Sequence, residues 1–394
     1  MPKVVITSGY RWSYFQWFLL GFYELKKQGK ISLEFRLPLG SFMLTKLSSP
    51  LAIRIVNRVI RLWEEDSYNM DGYIISYKNG KKEKRSFSID SADAPFLFDK
   101  EKLYNVDVYF KMQCPIDLEE DGFTLTEGIR IPWCDHKHEN VNLKLTERGS
   151  RRKIEILPKD KIKPLMVGCR KLSEGISYKN LKSGYDNYIK DRCKNKNKRI
   201  MCYFGNAYGP VVEKDPIPDY DWEGDIMGYF GRRIAHPNQK RAEAASIIAK
   251  MNQCDARVIS SQNADLQGAN KNRNLIIPLE QFCKHISQFE WNLNISGYRM
   301  SIPNRFVESF IVGTGIVTDK LAVKWYKPFD EEVFETVPMG YLPMEEVDWK
   351  KFQVDLEKLP EINSDEVVSE FERKWAPIKA AEYIIDTVLG EKDE

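Results

Sequence analysis

The sequence lacks the features that define disulfide-rich, zinc-binding and membrane-spanning proteins. Its seven cysteines are scattered, odd in number and never form a C-x-x-C pair, and it has only four histidines. This usage indicates a reducing compartment rather than a disulfide framework. The longest uncharged apolar stretch, residues 12–23, is well short of the roughly 20 residues that a membrane-spanning helix needs.

An excess of charge of one sign is also missing. The net charge is +3 over 394 residues, so composition gives no reason to expect nucleic acid as a partner. No signal-peptide pattern precedes the first predicted strand at residues 3–7, and we expect a cytoplasmic protein. Basic runs between residues 144 and 199 are either solvated faces or a peripheral contact with an anionic membrane surface.

Apolar and aromatic residues are plentiful. The hydrophobic fraction is 42%, with 20 Phe, 19 Tyr and 9 Trp, which excludes disorder and supports large cores. Predicted strands and helices alternate, and the alternation restarts at a strand over residues 200–204. We therefore expect an α/β protein of two Rossmann-like lobes with a cleft between them. The lobes are residues 1–195 and 196–360, and a helix within 361–394 returns to the first lobe.

Several elements of the first lobe can be placed by periodicity. A helix over residues 14–27 lies between strands 3–7 and 31–37, and an amphipathic helix covers residues 51–63. Strands at 72–77 and 85–89 are joined by a turn that contains Asn79-Gly80, which predicts a hairpin. The aromatic residues between 12 and 23 pack either in the core or in a membrane interface.

Candidate catalytic side chains follow the strands of this lobe. Asp90 and Asp93 lie in a loop after the strand at 85–89, where a carboxylate is placed for chemistry, although Asp before Pro is also ordinary turn composition. Asp135 and His136 belong to a second polar segment, residues 133–139. A zinc site there lacks a second cluster of ligands at the required spacing, so we predict no metal and a polar loop near the cleft.

The stretch 294–319, NISGYRMSIPNRFVESFIVGTGIVTD, predicts a strand, a glycine loop, a helix and another strand. The first strand covers residues 291–296 and breaks at Gly297. Ser301 can cap the helix, and Pro303 fits its first turn because the amide proton there would have no partner. Gly313 ends the helix, and the next strand begins at residue 316.

The predicted helix has an apolar stripe and a polar face. The stripe consists of Phe306, Val307, Phe310 and Ile311. We expect Asn304, Arg305 and Glu308 to lie on the opposite, outward face. A loop and a helix start at the carboxyl end of a parallel sheet suit a phosphate group, and this face adds one cation and one carboxylate. The alternative for Arg305 and Glu308 is an ordinary surface ion pair.

These residues resemble the donor-site signature of GT-B glycosyltransferases, most closely in the exostosin-like families. The resemblance is close over residues 278–319 and loose elsewhere. It implies a nucleoside-diphosphate sugar donor bound by the C-terminal lobe, and a glycan or lipid-linked glycan acceptor on the N-terminal lobe. By this analogy Glu308 would hold the ribose hydroxyls and Arg305 the diphosphate. The complete donor set is Gly297, Tyr298, Arg299, Ser301, Asn304, Arg305, Glu308 and Arg232.

The resemblance has one clear departure. Many retaining members carry a glutamate eight positions before the nucleotide-binding one, and here that position is Met300. An inverting reaction needs a base, for which the candidates in falling order are Asp93, Asp90, Asp135 and His136. The family analogy further implies bacterial polysaccharide synthesis, with no metal and no cofactor. The alternatives are a nucleotide-sugar epimerase on the same fold and a non-catalytic glycan- or nucleotide-binding partner.

Overall fold

The structure, a computed structural model, is a mixed α/β protein with two separate larger sheets. It describes residues 1–8, 12–63, 68–92, 98–115, 118, 158–190, 192, 199–207, 241, 244–260, 279–295, 302–318, 323–329 and 359–391. The first sheet has six strands and the second has four.

The strands of the first half are β1 (Lys3–Ile6), β2 (Ser32–Phe35), β3 (Asn69–Lys78), β4 (Lys81–Asp90), β5 (Val108–Lys111), β6 (Cys114–Pro115) and β7 (Ile162–Pro164). The six-stranded sheet has the order β2-β1-β3-β4-β5-β7. β3 pairs antiparallel with both β1 and β4, so this sheet is not the all-parallel sheet of a Rossmann fold. The cause is the predicted hairpin, whose turn residues Asn79 and Gly80 have φ of 52° and 74°, as a tight hairpin requires.

Helices of the first half are α1 (Trp12–Lys27), α2 (Leu39–Leu44), α3 (Pro50–Trp63), α4 (Lys100–Asn105) and α5 (Tyr178–Ile189), with a short 3₁₀ helix at Lys159–Lys161. The aromatic side chains of α1 are core residues: Phe15, Trp17, Phe18 and Phe22 are all buried. Core packing is therefore confirmed for these four residues. Among the described residues, no helix is both long enough and apolar enough to cross a membrane.

The second sheet is entirely parallel. Its strands are β8 (Arg199–Ala207), β9 (Cys254–Ser260), β10 (Phe289–Asn294) and β11 (Gly315–Thr318), in the order β11-β10-β8-β9. Helix α6 (Leu279–Ile286) precedes β10, and the short helix α7 (Arg305–Phe310) lies between β10 and β11. Strand β12 (Val323–Lys324) pairs antiparallel with β6, which joins the two halves of the chain.

Two helices end the described chain, α8 (Ser364–Lys374) and α9 (Pro377–Leu389). The single helix expected within residues 361–394 is therefore wrong, since the chain forms two helices there. Trp375 leaves helical geometry with φ −128° and ψ 4°, and Pro377 starts a new helix because it has no amide proton to continue the first. Helix α9 lies against α1, where a Cβ on Gly21 would come within 1.9 Å of the Pro377 carbonyl oxygen.

Candidate functional site

Helix α7 is shorter than predicted and begins later. It starts at Arg305, and Pro303 accepts a hydrogen bond from the amide of Phe306 in the turn before it. Asn304 occupies the N-cap position, but its side-chain amide donates to the carbonyl oxygen of Gly168 at 2.6 Å rather than capping the helix. The helical turns end at Gly313, which has φ of 76°. The proposed cap Ser301 lies outside the described residues.

The predicted outward face of α7 does not face solvent. The apolar stripe is buried as expected, but Glu308 is 0% exposed and Arg305 is partly buried. The reason is that α7 has neighbours on both sides. Its apolar side chains enter the main core, while Asn304 and Glu308 contact the chain segment 165–172 that follows β7. The alternative reading of Arg305 and Glu308 as an ordinary surface ion pair does not fit, because Glu308 is not at the surface.

Glu308 has weak partners for a buried carboxylate. Its Oε1 atom accepts a long hydrogen bond of 3.4 Å from the backbone amide of Arg170. Its Oε2 atom lies 3.6 Å from Nη2 of Arg170 and has no hydrogen-bond partner among the described residues. Burial raises the pKa of Glu308, and the nearby charge of Arg170 only partly offsets this. The carboxylate is therefore enclosed without being fully satisfied.

The side chain of Arg305 is also incompletely hydrogen-bonded. Its Nη1 atom is enclosed and has no hydrogen-bond partner in the described part of the chain. Burial lowers the pKa of Arg305 to about 10, and the positive charges of Arg241 and Arg170 act in the same direction. Arg241 is itself buried and donates from Nη2 to the carbonyl oxygen of Ile295 at 3.1 Å, directly after β10. Three guanidinium groups thus lie near the carboxyl end of the parallel sheet.

Two buried asparagines on β10 also belong to this region, and sequence reasoning missed them. The amide of Asn292 donates to Oγ of Ser309 at 2.9 Å, and the amide of Asn294 donates to Oγ1 of Thr318 at 3.0 Å. The side-chain oxygens of both asparagines are buried without a hydrogen-bond partner among the described residues. The available signal was the spacing in Phe289–Asn294, FEWNLN, where both amides fall on one face of a buried strand.

The candidate site is assembled from both halves of the chain. Arg170 follows β7, the last strand of the first sheet, whereas Glu308 and Arg305 follow β10 of the second. The side chain of Gln113, just after β5, binds both backbone groups of Ile302, each at 2.9 Å. These contacts hold the segment before α7 against the carboxyl end of the first sheet.

Asp90 ends β4 and is buried in a different setting. Its Oδ2 atom accepts from Nζ of Lys111 at 2.8 Å and from the hydroxyl of Tyr109 at 2.6 Å. Its Oδ1 atom accepts from the amide of Ala92 at 2.7 Å. Lys111 is buried as well and also donates to the carbonyl oxygen of Ala92. Both oxygens of Asp90 are thus occupied, which favours a structural ion pair over a proton acceptor.

The remaining predicted site residues lie outside the described residues: Asp93, Asp135, His136, Arg232, Gly297, Tyr298 and Arg299. Asn304 and Glu308 both contact the segment 165–172, whereas Asp90 has its own buried partners, Lys111 and Tyr109. Within the described ranges, no group of three His, Cys, Asp or Glu side chains could hold a metal ion.

Comparisons with known proteins give one structural similarity. No protein-family model matches the chain, and no curated protein matches its sequence. Among solved structures, the crystal structure of WaaG, a glycosyltransferase involved in lipopolysaccharide biosynthesis, aligns over 98% of both chains. The sequence identity is 11% and the TM-score is 0.34. At that score the likeness is too low to carry an argument about fold or function.

Proposed function

We propose that the chain is a glycosyltransferase that transfers a sugar from a nucleoside-diphosphate sugar to a glycan acceptor. The observation that supports it most is a pair of opposite charges after a strand of a parallel sheet, Arg305 and Glu308. Nη1 of Arg305 and Oε2 of Glu308 are enclosed and have no hydrogen-bond partner within the described part of the chain. A buried polar atom without a partner costs about 1–3 kcal/mol, so such atoms are expected where a ligand completes the bonding. The same two residues carry the sequence resemblance to the GT-B donor site.

The proposed roles follow from the chemistry of the groups. A fixed carboxylate such as Glu308 suits the two adjacent hydroxyls of a ribose, because both can donate to it. The planar guanidinium of Arg305 suits a diphosphate, and Arg241 and Arg170 would add positive charge as the diphosphate leaves. Donor binding would require the half-exposed Arg170 side chain to yield its position at Glu308. We assign the setting to polysaccharide synthesis by analogy with the exostosin-like families.

We further propose Asp93 as the base that deprotonates the acceptor hydroxyl. Asp90, the next candidate, has both oxygens engaged in a buried cluster. Asp93 follows the same strand by three residues and remains a prediction from sequence. Asp93→Asn should reduce turnover about 10²–10⁴-fold while leaving donor binding intact. If Asp93→Asn keeps wild-type turnover, Asp93 is not the base, and His136 and Asp135 become the candidates.

The donor assignment is tested by thermal unfolding with UDP-, GDP-, CMP- and dTDP-sugars. A ligand that binds only the native state raises the melting temperature, and the stabilisation grows with the logarithm of its concentration relative to Kd. One nucleotide class should stabilise the wild type, and Arg305→Lys should reduce that stabilisation. Stabilisation by no class would contradict the proposal. Binding without transfer to any glycan would instead support a non-catalytic partner, and interconversion of the free donor would support an epimerase.

A further inference from the structure

The outer surface of α2 and α3 exposes an unusual amount of apolar side chain. Among the described residues, eleven large hydrophobic side chains are exposed, and six of them belong to these two helices: Leu39, Phe42, Met43, Leu51, Ile55 and Val59. The two helices pack against each other, so the six side chains share one region of the surface. We call this region the α2–α3 patch.

The apolar face of helix α3 is wider than its contact with the core. Ile53 and Ile60 are buried and attach the helix to the core. Leu51, Ile55 and Val59 recur every four residues and therefore form a second stripe, which is 70%, 57% and 49% exposed. A helix that only covers a core needs a single apolar stripe. The second stripe has no partner among the described residues.

The charged residues of α2, α3 and the turn between them are all basic. From residue 39 to residue 63 the sequence contains Lys46, Arg54, Arg58 and Arg61 and no Asp or Glu, whereas Arg36 before α2 is paired with Glu34 and residues 64–66 after α3 are acidic. Arg54 and Arg58 are exposed and lie along one edge of the outer stripe, because Arg54 follows Leu51 by three positions and Arg58 follows Ile55 by three. Over the whole chain the two signs nearly balance, with 60 basic and 57 acidic residues. The α2–α3 patch is therefore a local departure from the rest of the surface.

We propose that the α2–α3 patch docks the protein onto the surface of an anionic lipid bilayer. A helix with an exposed apolar stripe bordered by arginines has the arrangement that lies in a lipid headgroup region, with the apolar side chains inserted and the cations at the phosphates. A protein partner would fit an apolar surface equally well, but the absence of acidic residues from α2 and α3 themselves favours a negatively charged surface. Helix α1, by contrast, keeps Phe15, Trp17, Phe18 and Phe22 in the core.

The inference does not depend on the proposed glycosyltransferase activity, since lipid binding needs neither Arg305 nor Glu308. If both hold, docking would place the enzyme beside a lipid-linked glycan acceptor. The test can therefore use vesicles alone, without any nucleotide or sugar. Titration of the same variants with nucleotide then reports on the donor site separately.

The experiment is co-sedimentation of the full chain with vesicles of phosphatidylcholine, with and without phosphatidylglycerol. We expect binding only to the anionic vesicles and a decrease with salt. Leu51→Ser should weaken binding severalfold, whereas Tyr77→Ser, at an equally exposed site (70%) on the β3–β4 hairpin, should have no effect. Replacing Leu51, Ile55 and Val59 together by Ser should abolish it.

A charge variant keeps the test meaningful if the apolar variants fail to fold. Arg54→Gln with Arg58→Gln should weaken binding to anionic vesicles by about 25-fold, since each cation near the surface contributes roughly fivefold. Lys81→Gln with Lys82→Gln, on the exposed hairpin turn, is the matched control. Equal binding by both charge variants, or binding to neutral vesicles alone, would overturn the proposal. So would a wild-type dimer in solution that the serine variants dissociate, because the patch would then join two copies.

Discussion

Two buried carboxylates, Asp90 and Glu308, illustrate the difference between a structural ion pair and an incomplete site. Each lies near the carboxyl end of its own sheet and close to a cation. Asp90 receives three hydrogen bonds of 2.6–2.8 Å, one of them from the buried Lys111. Glu308 receives one of 3.4 Å, and its cation, Arg170, is half-exposed at 3.6 Å.

This difference explains why only one of the two carboxylates is a candidate for binding. A closed pair satisfies its own atoms and has nothing to offer a ligand, whereas an enclosed but underbonded pair is costly until something completes it. Removing charge should therefore have opposite effects on stability at the two places. The predictions below test that contrast in order of expected size.

The largest effect should come from Lys111→Met. The substitution keeps the approximate shape of the side chain but leaves Asp90 buried without its cation, which costs about 3–5 kcal/mol in comparable buried pairs. Denaturant unfolding monitored by circular dichroism would measure the loss. The double variant Lys111→Met with Asp90→Asn is the control, and it should recover part of the stability because no net charge remains buried. If Lys111→Met is as stable as the wild type, the ion pair of Asp90 and Lys111 has no structural role.

Glu308→Gln should act in the opposite direction, raising the free energy of unfolding by about 1–3 kcal/mol near neutral pH. Because burial raises the folded-state pKa of Glu308 above its ordinary 4.5, ionisation weakens the folded state as pH rises. The advantage of Gln should therefore be present near neutral pH and absent below about pH 4. Unfolding curves of both proteins across this range provide the measurement. A loss of stability near neutral pH would mean that Glu308 is fully compensated.

In the second half of the chain, the sequence predicted the positions of the strands better than the surroundings of Arg305 and Glu308. The strands predicted at residues 200–204 and 291–296 match β8 and β10 within about three residues, because buried parallel strands are short apolar runs between turn signals. Periodicity also identified the apolar stripe of α7. It could not show that the other face of α7 is covered, because the cover comes from residues 165–172, far away in sequence. For the same reason Arg170 and Arg241 were not recognised as neighbours of Arg305.

The smallest effect on stability should come from Arg170→Gln. Its guanidinium is half-exposed and too far from Glu308 for a hydrogen bond, so the free energy of unfolding should change by less than about 1 kcal/mol. Parallel unfolding curves with Lys111→Met give the comparison. A loss as large as that of Lys111→Met would show that Glu308 and Arg170 form a closed pair, and the contrast between the two carboxylates would disappear.

The central claim, that Arg305 and Glu308 await a nucleoside diphosphate, is tested most directly by calorimetric titration. UDP and GDP would be compared with uridine and guanosine for the wild type, Glu308→Gln and Arg305→Lys. Glu308→Gln should lose about 1–3 kcal/mol of affinity for both diphosphate and nucleoside, because it removes the charge that strengthens the ribose hydrogen bonds. Arg305→Lys should weaken only the diphosphate, because it loses the planar fork. If both variants bind both ligands like the wild type, the pair does not form the donor site.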